Sequence, residues 1–246
     1  MNPPQTSHRT LVAIPAYSGQ LDIRTADGLI ASRGLYQKII WASQNCQISS
    51  ARNSIACLFL EDKEYDQLVM IDTDIVFSAQ QFEHLVTRDH ERYPVLAGIY
   101  TQRSNTGKVC FVPLPEFPPP DDDGVFRCRR IATGFMRITR DCLLGIQRHF
   151  PTRYYMDQGR QRFDFFGDGL MPDGVWMTDD YAFCERATAA GFSIHGDSTI
   201  QLGHMGTACY QANVKFGAGP EEVAKAAEAA ARKQAEEIAE AALAPT

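Results

Sequence analysis

The sequence predicts an α/β layered domain built on a largely parallel sheet. Short apolar runs of strand length recur along the chain, at 10–17 (TLVAIPAY), 67–71 (QLVMI) and 94–100 (PVLAGIY). Segments with helical apolar spacing lie between them. Alternation of this kind favours strands joined by crossover helices, with the helices covering the sheet faces.

The run at 10–17 reads as a buried strand that stops at Pro15, because proline cannot donate to a ladder. Asp27 is placed to cap a helix reaching about Ala42, with Leu29, Ile30, Leu35, Ile39 and Ile40 on its inner side. A short strand at Cys46–Ile48 leads to a second helix, capped by Ser49 or Ser50, with Ile55, Leu58 and Phe59 inward. QLVMI is bounded by Asp66 and Asp72 and is the clearest strand. Ser78-x-x-Gln81 is a capping box that opens a helix with Phe82, Leu85 and Val86 on one side. Strands follow at 94–100 and 108–112. Residues 113–124 (PLPEFPPPDDDG) must loop, since three prolines in a row fit neither a helix nor a central strand. A strand over 130–139 precedes a short helix from Asp141. Residues 151–178 read as irregular. A helix at Asp179–Ala190, with Tyr181, Phe183 and Cys184 partly buried, and a last strand pair or a strand and turn over 192–202 complete the pattern.

The domain is thus expected over 10–212. Residues 1–9 are expected to be extended or disordered. Residues 213–246 are expected to form a linker and an Ala- and Glu-rich helix with Pro220 near its start.

Composition excludes several classes. The 246 residues are long enough for one packed domain of this type. A 44% hydrophobic and 22% charged chain is neither collagen-like nor wholly disordered. No run of about 18 apolar residues is present, so no membrane span is expected. The N-terminus lacks a basic-then-apolar leader, and the seven cysteines include no CxxC pair. A reducing cytoplasm is the expected compartment. Net charge is −6, which is atypical of a nucleic-acid binder. Between Arg127 and Arg162, however, nine arginines face only Asp141 and Asp157. That stretch is either a solvated surface or a contact for an anionic ligand.

The residues that carry chemistry follow the strands. Asp72-Thr73-Asp74 comes directly after QLVMI, and ligands in open α/β sheets bind at the carboxyl ends of strands. Carboxylates at i and i+2 point the same way from extended backbone and suit Mg²⁺ or Mn²⁺, though such spacing also arises by chance in turns. His204 sits between Gly203 and Met205-Gly206, where imidazole would suit manganese better than magnesium. Asp179-Asp180 opens a helix after Gly174-Val175-Trp176; one acid can cap the helix while the other acts as a base. Trp176 can stack on a sugar or anchor packing. Phe163, Phe165 and Phe166 fit core packing better than an acceptor platform. Tyr100 and Arg103, ending the strand at 94–100, are candidates for substrate contact.

In this order the motifs resemble those of GT-A glycosyltransferases. The strand at Val12–Tyr17, SSARN (Ser49–Asn53), DTD (Asp72–Asp74), ATGFMRITRD (Ala132–Asp141), DDYAFCERATAAGF (Asp179–Phe192) and LGHMG (Leu202–Gly206) carry the resemblance. It extends over roughly residues 10–210 and is nearest to family 2-like and Anp1-type members, including small bacterial and phage ones. The resemblance implies a Rossmann-like fold for nucleotide-diphospho-sugar transfer, a mixed sheet flanked by helices. It implies a metal-dependent transfer of a sugar to a hydroxyl. Asp72, Asp74 and His204 would hold Mn²⁺ or Mg²⁺. Pro15, Ala16, Tyr17, Arg52, Asn53, Asp72, Thr73, Gly134 and Trp176 would contact the nucleotide-sugar donor, with a UDP-sugar the first choice. Asp180 would act as base, with Asp179 where the family has Glu. The paired acids favour an inverting reaction over a retaining one, and the histidine at the metal pulls the other way. A glycan is the first choice of acceptor and a modified DNA base the second. A related nucleotidyltransferase is the rival enzyme, but the segment after Ile14 (PAYSGQ) lacks the lysine it would need. A non-catalytic nucleotide-sugar or glycan-binding module is the rival from another class.

Overall fold

The computed structural model describes residues 8–43, 45–104, 106–170 and 174–214. The elements in chain order are β1 (Thr10–Ala16), α1 (Ile23–Ala31), β2 (Lys38–Ser43), α2 (Ile48–Glu61), β3 (Gln67–Ile71), β4 (Ile75–Val76), α3 (Ala79–Thr87) and β5 (Val95–Ile99). There follow β6 (Phe111–Pro113), β7 (Val125–Ile131), β8 (Phe135–Thr139), α4 (Arg140–His149), β9 (Tyr154–Asp157) and β10 (Arg160–Phe163). The last are β11 (Gly169–Leu170), β12 (Trp176–Met177), α5 (Asp179–Ala189), β13 (Ile194–Gln201), β14 (Gly203–Met205) and β15 (Cys209–Gln211). The expected C-terminal Ala/Glu-rich helix lies outside the described residues.

Eight strands form one sheet in the order β2-β1-β3-β8-β5-β13-β7-β6. It is mixed rather than largely parallel. β1 runs parallel to both β2 and β3, and β5 parallel to β13. β8 is inserted antiparallel between β3 and β5. Two apolar clusters cover the two faces. One gathers Ile55, Phe59, Phe165, Phe166 and Phe183 from the α2, α4 and α5 side. The other gathers Leu29, Phe77, Phe82, Leu85 and Val86 around α1 and α3. The three phenylalanines Phe163, Phe165 and Phe166 are core side chains, as expected.

Several expectations fail for identifiable reasons. Asp22, not Asp27, caps α1, accepting from the Arg24 N–H, and the helix stops at Ser32, whose hydroxyl donates to the Gly28 carbonyl. Ile39 and Ile40 therefore belong to β2, paired in register with Val12 and Ala13. Ile30 is exposed, not inward. No strand forms at Cys46–Ile48, and α2 starts from Gln47 without a side-chain cap, so neither Ser49 nor Ser50 caps it. The stretch 130–139 is divided between two strands, β7 and β8, that are separated by a turn at Ala132–Gly134 and do not pair with each other: β13 and β5 lie between them in the sheet. Phe183 and Cys184 are fully buried. The stretch 151–178 holds the two small hairpins β9–β10 and β11–β12. QLVMI and the capping box at Ser78–Gln81 stand as expected. Among the described residues no helix is long and apolar enough to cross a membrane.

Candidate active site at the carboxyl edge of the sheet

The topology sends the candidate residues to one edge. β1, β3 and β5 end there, and antiparallel β8 begins there after Gly134. Past the end of β3, the Asp72 N–H donates to the Gly134 carbonyl at 2.9 Å. Asp74 is then brought to His204 by backbone pairing. β4 follows Asp74 and pairs antiparallel with β14, His204 opposite Ile75, and the Met205 N–H donates to the Asp74 carbonyl at 2.7 Å. As a result His204 Nε2 lies 3.6 Å from Asp74 Oδ2.

The other ring nitrogen sets the chemistry of this pair. His204 Nδ1 lies 2.8 Å from the Thr101 carbonyl oxygen, which can only accept, so Nδ1 donates. In the neutral ring Nε2 is then the lone-pair atom, aimed at a carboxylate. A carboxylate oxygen and a lone-pair nitrogen 3.6 Å apart are too distant for a hydrogen bond and invite a cation between them. One oxygen donor and one imidazole fit Mn²⁺, whose remaining positions a substrate's phosphate oxygens and water would fill. Among the described residues no group of three or more His, Cys, Asp or Glu is gathered for a metal. The expected third ligand, Asp72, is turned elsewhere: both of its carboxylate oxygens accept from Arg52 Nη2, at 2.9 and 3.1 Å.

Arg52 is the buried centre of the acidic cluster. α2 delivers its side chain with 5% exposure. Its Nη1 donates to Asp179, so one guanidinium joins the end of β3 to the start of α5. Burial works against its charge. Asp72, Asp179 and Asp180 outweigh that and hold its proton more tightly than usual. Asp179 is consequently a buried partner of Arg52 and not a helix cap; Thr178 occupies the N-cap position, without a side-chain cap bond. Asp180 is nearby but differently placed. Its Oδ1 accepts from the Thr178 hydroxyl at 2.5 Å and the Tyr181 N–H at 2.8 Å. Burial, with Asp179 adding repulsion, raises its pKa above the usual aspartate value even though Thr178, Arg52 and Tyr181 pull it down. Asp74 shifts the opposite way. Burial raises it; Arg103 and, when its ring is protonated, His204 more than offset this, so in that state its pKa is lowered.

The remaining expected residues divide. Gly134 belongs to the site: a Cβ there would stand 2.5 Å from Tyr100 Oη and 3.1 Å from Asp72 Oδ2. Its N–H donates to Tyr100 Oη at 2.9 Å. Tyr17 and Trp176 are 63% and 62% exposed, free to meet a ligand. Pro15 and Ala16 are buried in β1 and could offer a ligand only backbone. Thr73 gives its carbonyl to the Asp22 N–H, tying the turn to α1. Asn53 is committed to structure: its Oδ1 accepts from the N–H groups of Phe165 and Phe166 and its Nδ2 donates to Asp164. It therefore braces the wall behind Arg52 and is not turned toward a nucleotide.

Two residues matter more than sequence reasoning suggested. Tyr100 is wholly buried beside Asp72, holds Gly134 and packs edge-on to His204 with ring centroids 5.1 Å apart. Arg103 Nη1 lies 3.0 Å from Asp74 Oδ2. The basic stretch, in contrast, disperses. Arg137 is buried and donates to the carbonyls of Arg88, Asp89 and Tyr93. Arg140 donates to those of Phe59, Leu60, Asp62 and Tyr65. Arg129 and Arg130 share Glu185, Arg153 pairs with Asp164 and Arg162 with Glu61. Most of these arginines are spent on the fold, so the stretch is not one anion-binding surface.

Comparison with solved structures fits this layout. The chain is similar to the crystal structure of A197 from STIV, with a TM-score of 0.54 and 17% identity over 84% of this chain and 95% of that one. It is also similar to the crystal structure of GalNAc-T7 with UDP, GalNAc and Mn2+, with a TM-score of 0.51 and 12% identity. That match covers 80% of this chain and 44% of the other. The fold is Rossmann-like GT-A. The inositol-1-phosphate CTP transferase from T. maritima matches at a TM-score of 0.42, with 10% identity over 79% of this chain and 86% of that one. No protein-family model and no curated protein matches the chain. In GT-A terms, Asp74, His204, Arg52, Asp72, Asp179, Asp180 and Gly134 all lie at the edge of the sheet where the parallel strands end.

Proposed function

We propose that the chain is a metal-dependent glycosyltransferase that moves a sugar from a nucleotide-diphosphate donor to a hydroxyl acceptor. The observation that carries this reading is the pairing of Asp74 Oδ2 with His204 Nε2 at the GT-A sheet edge, with the half-buried carboxyl of Asp180 in the acidic cluster around Arg52. Asp74 and His204 would hold Mn²⁺ or Mg²⁺. When bound, the ion would neutralise charge on the departing diphosphate.

The chain's own groups then have distinct tasks. Asp180 takes the acceptor's hydroxyl proton; its raised pKa brings it closer to the operating pH of a base. Among the described residues both of its hydrogen bonds fall on Oδ1, which leaves Oδ2 for that proton. A carboxylate that takes the acceptor proton directly goes with inversion at the sugar carbon. Arg52 locks Asp72 and Asp179 in place, so the donor meets a fixed acidic rim. Tyr17 and Trp176 supply exposed aromatic faces for the donor. A UDP-sugar is the first donor to try. A glycan acceptor is favoured over a DNA base, because the basic stretch that would have gripped phosphates is mostly consumed by internal contacts.

A donor screen with Mn²⁺, read as release of UDP, GDP or dTDP, tests the proposal. Turnover should vanish without the divalent ion and in Asp74→Ala. Asp180→Asn should bind donor but not transfer. Metal-dependent nucleotide binding with no transfer or hydrolysis of any donor would reject catalysis in favour of a binding module.

A further inference from the structure

The cation position between Asp74 and His204 is contested by a side chain of the protein itself. Arg103 Nη1 lies 3.0 Å from Asp74 Oδ2, the same oxygen that faces His204 Nε2. Arg103 leaves the loop that follows β5 and is 55% exposed along its side chain. Its stem rests on the β14–β15 hairpin. A Cβ on Gly206 would stand 3.2 Å from Arg103 Cδ and 3.5 Å from its Cβ, so the bare Gly206 lets the Arg103 stem lie close against the hairpin. Arg52 is buried and fixed between two carboxylates. Arg103 is at the surface, pairs with one carboxylate among the described residues and can swing without opening the core.

We propose that Arg103 is an exchangeable cation: it neutralises Asp74 in the empty site and transfers to the diphosphate of an arriving nucleotide, which frees Asp74 for the metal. Resting on the glycosyltransferase reading above, this makes metal and nucleotide bind cooperatively. A metal arriving alone must displace the guanidinium from Asp74. A metal arriving with a diphosphate need not, because the guanidinium gains a doubly ionic, bidentate partner in the phosphate oxygens. Linkage requires the coupling to be reciprocal, so metal must tighten nucleotide binding by the same factor.

The test is Mn²⁺ affinity, followed by electron paramagnetic resonance, alone and with saturating UDP or inorganic pyrophosphate. Pyrophosphate reports on the diphosphate even if the base is not uracil. In the unaltered protein the anion should raise Mn²⁺ affinity by about tenfold, within the usual range of coupling between sites. In Arg103→Gln, Mn²⁺ alone should bind several-fold more tightly than to the unaltered protein, and the gain from the anion should shrink to the part that direct coordination of the ion by phosphate oxygens supplies. Arg103→Lys should restore part of the coupling. Gly206→Ala, which crowds the stem, should act like a weaker Arg103→Gln. An unchanged thermal melt in Arg103→Gln would show that the effect is local. If Mn²⁺ binds but Arg103→Gln alters neither its affinity nor its coupling, the exchange is wrong and the metal site stands. If the unaltered protein binds no Mn²⁺ with any anion, the metal-dependent reading and the exchange fall together.

Discussion

Removing Arg52 should expose how much of the acidic edge depends on one guanidinium. In Arg52→Met the aliphatic volume is kept and the charge is lost. Arg52 Nη2 contacts Asp72 at 2.9 and 3.1 Å and Nη1 contacts Asp179, with the arginine side chain only 6% exposed and the two carboxylates 29% and 12%. Stranding buried charges by deleting their partner costs about 3–5 kcal/mol. Asp72 is partly solvated, which places the expectation at the lower end, about 3–4 kcal/mol. For a chain of this size about 2–4 °C of melting temperature accompanies each kcal/mol, so the transition should fall by roughly 6–16 °C. The pH dependence identifies the cause. Without the cation the lowering pull of Arg52 on Asp180 is lost, and the folded-state pKa of that carboxyl, already raised, rises further. Acids raised in this way lose their stabilisation as pH climbs through the folded values. The deficit should therefore be larger at pH 7.5 than at pH 5. Urea unfolding followed by near-ultraviolet circular dichroism at both pH values measures it, and Arg52→Lys, with one point charge, should fall between. A loss under about 1 kcal/mol at pH 7.5, or one equally large at pH 5, would refute this account of Arg52.

Other expectations follow from single contacts. Gly134→Ala would press a methyl against Tyr100 Oη and Asp72 Oδ2, so it should cost about 1–3 kcal/mol in a thermal melt and also weaken nucleotide binding in titration calorimetry. Gly145→Ala would put its Cβ into the Phe192 ring. It should destabilise by a similar ~1–3 kcal/mol in urea titration while leaving nucleotide affinity intact. Transfer activity should rise with pH through an apparent pKa above the ordinary aspartate value near 3.9, set by Asp180, in rate profiles at saturating donor. His195 is buried and its pKa is lowered to about 4 chiefly by that burial. The unfolded state then binds the proton first, so stability should drop as pH falls from about 6.5 to 4, and His195→Gln should flatten that limb of a pH series of melts.

How far the sequence could be read depended on whether a signal was local. QLVMI was legible to the residue because four buried apolar side chains in a row after Gln67 are bracketed by aspartates. The Ser78–Gln81 box was legible because both partners lie within one turn. β2 was hidden because Ile39 and Ile40 fall at helical spacing from Leu35, and only pairing with β1 reveals them as strand. β7 and β8 merged because the turn Ala132–Gly134 lacks a strong breaker at its start. In the site, Asp74, His204 and Asp180 were visible as residue types at strand ends. The partition of Asp72 and Asp179 onto Arg52 was not, since it joins groups separated by most of the fold. The hold of Arg103 on Asp74 was equally invisible, because the Arg103 stem lies against the bare backbone of Gly206 in a distant hairpin.

The two-residue strand β4 has a consequence for how the protein matures. Asp74 emerges from the ribosome early, before β5 through β13 exist, while His204 arrives only with the hairpin that follows the last strand of the main sheet. The lone-pair nitrogen can meet the carboxylate only after β14 has docked on β4, a contact of very long sequence separation that forms late. A nascent chain or a C-terminally clipped product would then carry a nearly complete sheet and still be blind to the ion. Cation binding at the proposed Asp74–His204 site would thereby report that β14 had docked on β4.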